Sequence, residues 1–190
     1  MRMIWAAVAV VLWAVAAPAE PVDGETARAL VVDARAAEAV ILPQPFLGEQ
    51  DSKTLAVVAE QQKYYGAIAV APSEGLLSTA TVAAANYHDV ATARAVALKG
   101  CDARRQGGRA CVIVAEIRPR GWQARPLQLN ADASAALHKQ YRRGRGPKAL
   151  AISPGTGQWH LEKGEGASAA ALDGCAAKAR TDDCRIVVAD

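Results

Sequence analysis

The sequence predicts an α+β fold in which one short unit, strand-turn-strand-helix-strand, occurs twice. The units build a mixed or antiparallel sheet with helices packed on it, and each carries a local disulfide. Three observations predict this. Four sequence blocks recur in the same order, and four cysteines fall at matching points of the two copies. The chain has 190 residues, 52% apolar and 22% charged, a normal globular balance that argues against disorder. That length fits one compact domain or two small ones.

The blocks are Ala67-Ile68-Ala69-Val70-Ala71-Pro72 with Ala149-Leu150-Ala151-Ile152-Ser153-Pro154, then Gly75 with Gly157. Ala95 to Cys101 (AVALKGC) matches Ala169 to Cys175 (AAALDGC), and Cys111-Val112-Ile113-Val114 matches Cys184-Arg185-Ile186-Val187. The offset between copies falls from 82 to 74 to 73, so the first copy carries about eight extra residues after its turn. Ordered blocks, two of them anchored by cysteine, mark an internal repeat rather than an alanine-rich coincidence.

Each element follows from local chemistry. The first strand of a unit is short and apolar and ends at a proline, which has no N–H for a ladder. Pro72-Ser73-Glu74-Gly75 and Pro154-Gly155-Thr156-Gly157 read as turns, with proline setting φ and glycine accepting φ > 0. In the first copy, Val90, Ala93, Ala97 and Cys101 recur at helical spacing, predicting a helix from about His88 to Arg105 with Asn86 or Asp89 as its cap. The second copy's helix is predicted from about Ala167 to Ala179. The closing strands are Cys111 to Ile117 and Cys184 to Ala189.

Four cysteines allow three pairings, and spacing alone does not choose among them. The repeat does: Cys101–Cys111 and Cys175–Cys184 each tie a helix end to the next strand. A four-cysteine zinc site is the alternative, but structural zinc pairs are usually two to four residues apart, and these gaps are longer. No metal is expected.

The flanking segments divide the chain into 1–19, 20–63, 64–120, 121–147 and 148–190. Arg2, the uncharged apolar run from Ile4 to Ala17, and Ala17-Pro18-Ala19 have the layout of a secretory signal peptide cleaved after Ala19. The run is shorter than the ~20 residues of a membrane span. A soluble periplasmic or secreted protein without a transmembrane span is therefore expected. In 20–63, a helix is predicted around Thr26 to Ala37, a strand from Ala39 to Leu42, and a helix from about Gln50 to Lys63. Asp51 or Ser52 would cap that helix, and Leu55, Val58 and Ala59 share a face. In the connector, Leu127 to Leu129 is predicted as a strand, and a helix opens at Asn130 or Asp132 and ends near Arg143-Gly144.

The series from Gly66-Ala67-Ile68-Ala69 through Cys101 and Cys111, repeated from Ala149 through Cys175 and Cys184, resembles a family of small secreted bacterial domains of unknown function. They share Ala-Ile-Ala, a glycine turn, an Ala-rich helix ending in Ala-Leu-x-x-Cys, and a Cys-x-Val-Val strand. The resemblance covers about half of the chain after Ala19. It leaves out Glu20 to Lys63 and Trp122 to Arg145. The family often places an aromatic after the turn glycine: Gly157-Gln158-Trp159 has one and Gly75-Leu76-Leu77 does not. The resemblance implies an envelope location, a disulfide per unit and no catalytic residues. The whole chain is also similar to exported proteobacterial proteins named aminolevulinate synthase. That activity resembles a longer cytosolic pyridoxal-phosphate fold with a Schiff-base lysine, so neither it nor any cofactor is expected here.

The densest polar cluster is Asn86-Tyr87-His88-Asp89, placed in the loop that only the first copy has. His88 oriented by Asp89 can serve as a general base, with Tyr87 and Tyr65 beside it. The same residues read more readily as a helix cap, Asn86 or Asp89, with His88 solvated in the first turn. No Gly-x-Ser-x-Gly setting is present, and Gly155-Thr156-Gly157 enters a strand, unlike a dinucleotide fingerprint. The formal net charge is only +3, but residues 99–148 hold 12 Lys and Arg against 3 Asp and Glu. That basic block includes Arg118, Arg120, Arg142, Arg143 and Arg145, the candidate anion-binding residues. In an envelope its partners would be phospholipid head groups, anionic polysaccharide or an acidic protein, and export removes nucleic acid. The sequence therefore favours a non-catalytic envelope interaction module over a small periplasmic enzyme centred on His88 and Asp89.

Overall fold

The computed structural model of the chain describes residues 20–32 and 36–190. The expected signal peptide, 1–19, lies outside the described residues. Among the described residues, no helix is long and apolar enough to cross a membrane.

The elements run in the order α1 (Gly24–Leu30), β1 (Ala37–Ile41), α2 (Glu49–Glu60), β2 (Gly66–Val70), β3 (Val82–Ala84), α3 (Val90–Asp102), β4 (Val112–Pro119), α4 (Ala131–Ala136), β5 (Lys148–Ile152), β6 (Trp159–Lys163), α5 (Ala167–Ala179) and β7 (Arg185–Ala189). A π-helical turn, Leu137–Tyr141, continues α4. The fold is α+β. One sheet has the order β1-β4-β2-β3 and the other β6-β5-β7, and the strand pairs in both are antiparallel. A parallel bridge joins Val22 to Val188.

Alternation along the central strands explains the layers. Ala67 and Ala69 of β2 meet Ala93, Ala97 and Cys101 of α3, while Ile68 and Val70 meet Leu55 and Ala59 of α2. β5 repeats the arrangement. Ala149 and Ala151 face Ala167, Ala171 and Cys175 of α5, and Leu150 and Ile152 face Ala27, Leu129, Leu137 and Tyr141. Successive strand side chains point to opposite faces, so small residues on one face let the cysteine-bearing helix lie close. Both faces of β2 and β5 are covered, which is why these strands lack a polar side.

The disulfides are Cys101–Cys111 and Cys175–Cys184, each with a Cα–Cα distance of 6.1 Å. Both units run strand-strand-helix-strand, and each central strand shifts register against its neighbour at the same point, Ile68/Ala69 and Leu150/Ala151.

Several expectations need correction. The first helix ends at Leu30, and Ala37, the expected end of that helix, opens β1. The second helix is capped by Gly48; Asp51 sits in its first turn and accepts the Gly48 N–H at 3.0 Å. Val58 is 42% exposed, because α2 buries only Leu55 and Ala59 against the sheet. Leu127 to Leu129 forms no strand; Leu129 is buried as an irregular segment leading into α4. The longer connection of the first unit lies mainly at Ala71 to Thr81, before β3, with Leu77 94% exposed at its tip. Asn86 to Asp89 instead joins β3 to α3.

Candidate functional site

Asn86 to Asp89 is built into a seam between the two units. Asn86 takes the left-handed conformation at φ +64°, and its N–H reaches Lys63 O at 3.2 Å. Tyr65 and Tyr87 exchange backbone hydrogen bonds of 3.3 and 3.0 Å, which extends the β2–β3 ladder toward the loop. Across the seam stands Asn130. Its side-chain oxygen caps α4 by accepting from Ala133 N at 2.8 Å. Its amide donates to Asn86 O at 2.9 Å and to Gly157 O at 2.7 Å. Asn130 thus links the first unit, the connector and the second unit. Gly157, at φ +73°, has no room for a side chain, since a Cβ would lie 2.5 Å from Asn86 O.

His88 is 3% exposed and sits inside this seam. Its Nδ1 accepts the Asn130 backbone N–H at 3.2 Å. Nδ1 is therefore unprotonated, and Nε2 carries the hydrogen that it donates to Gln158 O at 3.2 Å. Burial pushes the imidazole down to about 4 from its ordinary 6.5, so it is neutral near pH 7. Both ring nitrogens are spent on backbone groups, and none is left open to a substrate. Asp89 caps α3, accepting from Thr92 N at 2.6 Å and Thr92 Oγ1 at 2.9 Å. Tyr65 is buried, which raises its phenol to about 12. Tyr87 packs against the α3 core. Tyr65, Tyr87, His88 and Asp89 therefore come together along the seam, with Tyr65 and His88 buried in it.

The basic residues are divided. Arg118 of β4 and Arg94 of α3 both bind the buried carboxylate of Glu116, and the Arg118 guanidinium lies 4.7 Å from the Trp122 ring centre. Burial alone would raise the Glu116 carboxyl, but the two guanidinium groups outweigh it and hold it below its ordinary value. Arg118 is therefore committed within the protein. Arg120 is exposed one residue past β4. That end of β4 pairs with the start of β2, close to the seam.

Arg142, Arg143 and Arg145 lie on the loop that leads into the start of β5. The opposite end of β5 carries the turn that meets the seam, so these arginines project from the far end of the second unit. All three are exposed, as is Lys139. Lys163 braces the loop by donating to Gln140 O at 2.6 Å and Arg143 O at 3.0 Å. Among the described residues, Lys139, Arg142, Arg143 and Arg145 form no ion pair.

Sequence reasoning names Asn130 as a helix opener but not as the hub of the seam. Gln158, Glu116 and Trp122 carry no readable signal, because their contacts use a backbone oxygen or depend on which strands pair. No protein-family model, curated protein or solved structure matches the chain.

Proposed function

We propose that this chain is an exported interaction module that attaches to an anionic envelope surface through the segment from Lys139 to Arg145. The observation that carries the reading is uncompensated charge: three exposed arginines and a lysine with no carboxylate in ion-pair reach among the described residues. Lys163 anchors the loop carbonyls, so the cationic side chains stand on a fixed support. Two disulfides belong in an oxidising compartment, which supports a periplasmic or secreted location. The start of the sequence, with Arg2 and its apolar run to Ala17, supports the same location. The catalytic alternative at His88 and Asp89 draws no support from side chains that are already fully engaged.

The test is sedimentation with phosphatidylglycerol-containing vesicles over a salt series. A cationic side chain near an anionic surface contributes about 1 kcal/mol. Replacing Arg142, Arg143 and Arg145 together by alanine should weaken binding roughly a hundredfold. Binding of the native chain should also fall as salt shortens the screening length below ~10 Å. Binding indifferent to salt, or equal for the native and triple-variant chains, refutes the reading.

A further inference from the structure

A cleft lies in the first unit, on residues separate from that segment. β1 stays paired to β4 as far as Leu42, whose N–H reaches Val114 O at 2.9 Å. Pro43 and Pro45 then have no N–H to continue the ladder, and the chain turns back where Leu47 N–H meets Gln44 O at 3.0 Å. The departure opens a cleft of about 480 Å³ between 44–46 and the start of β4. That volume lies in the ~300–1,000 Å³ range of small-molecule sites. Its walls are Pro45, Phe46, Pro72, Ala110 and Val112, its polar groups are Gln44 and Arg109, and Arg109 is the charged residue among the described residues that line it.

Arg109 is presented by a loop tied down on both sides. Gln106 N–H donates to Glu74 Oε1 at 2.8 Å, Arg105 donates to Gly108 O at 3.0 Å, and Cys111 N–H donates to Asp102 Oδ1 at 3.0 Å. Gly108 lets the loop press on Ser73, where a Cβ would lie 2.3 Å from the hydroxyl. The acids nearby are committed: Asp102 to Arg105 at 2.8 Å and Glu74 to Ser78 Oγ at 2.6 Å. Arg109 itself has no hydrogen bond or ion pair among the described residues. An unpaired guanidinium beside an apolar, proline-walled cleft complements a ligand with an apolar body and one negative group.

We infer that this cleft binds a small amphipathic carboxylate, with the carboxylate on Arg109 and the apolar body between Phe46 and Val112. The experiment titrates the full disulfide-bonded protein with sodium octanoate and, separately, with 1-octanol, following backbone amides by NMR. Octanoate should shift the Phe46, Ala110, Cys111 and Val112 amides saturably, and octanol should bind at least about tenfold more weakly. Arg109→Gln, a change at an exposed side chain, should lose about tenfold in octanoate affinity with an unchanged melting temperature. Equal binding of octanol, unchanged affinity in R109Q, or shifts confined to other regions overturns the inference. The triple Arg142, Arg143 and Arg145 variant should bind octanoate like the native chain, so this site and the vesicle-binding loop stand or fall separately.

Discussion

At the residue scale, His88 and a pair of glycines carry the sharpest consequences. The His88 imidazole is held neutral down to about pH 4, whereas in the unfolded chain it takes a proton near 6.5. Between these values the unfolded chain binds more protons than the folded one, so stability falls as pH drops. The contribution is complete above pH 6.5 and amounts to about 3 kcal/mol lost by pH 4. Denaturant melts across this window should show that loss, and His88→Gln should flatten it. An unchanged slope in H88Q would mean that other groups drive the pH dependence. Gly100 and Gly174 occupy the same place in the two Leu-x-Gly-Cys motifs, and their surroundings differ. A Cβ at Gly100 would meet Val82 at 3.4 Å, an ordinary contact, whereas at Gly174 it would lie 2.1 Å from the His160 ring. That ring is held by Glu162 at 2.8 Å and Lys178 at 2.8 Å. Gly100→Ala should therefore stabilise by up to about 1 kcal/mol through helix propensity. Gly174→Ala should destabilise by about 1 kcal/mol or more, as thermal melts of both variants will read.

At the element scale, most of the helices and strands were legible. The second unit's helix, expected from about Ala167 to Ala179, spans those residues. Asp89 and Asn130 were readable as caps because a short side chain with an acceptor oxygen sits just before an apolar period. The failures have one cause. Val58 fits a helical stripe but is exposed, since the width of a buried face depends on what packs against it. Leu129 looked like a strand residue because it is apolar, but its burial serves a loop beneath α1 and α4. The disulfides belong to this scale too, because each closes a short helix-to-strand connection, with sequence separations of 10 and 9. Such loops contribute about 2–3 kcal/mol each in the chain-entropy model. The double variants Cys101→Ala/Cys111→Ala and Cys175→Ala/Cys184→Ala should lose that amount in urea melts, and by similar margins. A much larger loss from one pair would show that its bridge also supports packing.

At the scale of the whole molecule, the N-terminal segment and the connector bind the units together. β1 lengthens one sheet beside β4, while Val22 bridges to Val188 of β7 at the matching edge of the other. The seam at Asn86, His88, Asn130 and Gly157 then locks one unit's loop against the other unit's turn. This joining separates the basic block, leaving Arg118 against Glu116 near the seam and Arg142 to Arg145 at a far end.

The sequence by itself determined the α+β class, the position of nearly every element and the cysteine pairing. Those follow from side-chain periodicity, caps, proline and glycine at turns, and the place of the cysteines in the recurring blocks. Only the tertiary structure decided which polar groups are available for function. His88 looked solvated and is buried, Arg118 looked free and is paired with Glu116, and Arg109 drew no notice yet stands unpaired beside a cleft. The exposure and charge balance of a side chain depend on residues brought close by the fold from far along the chain, and no local pattern encodes that.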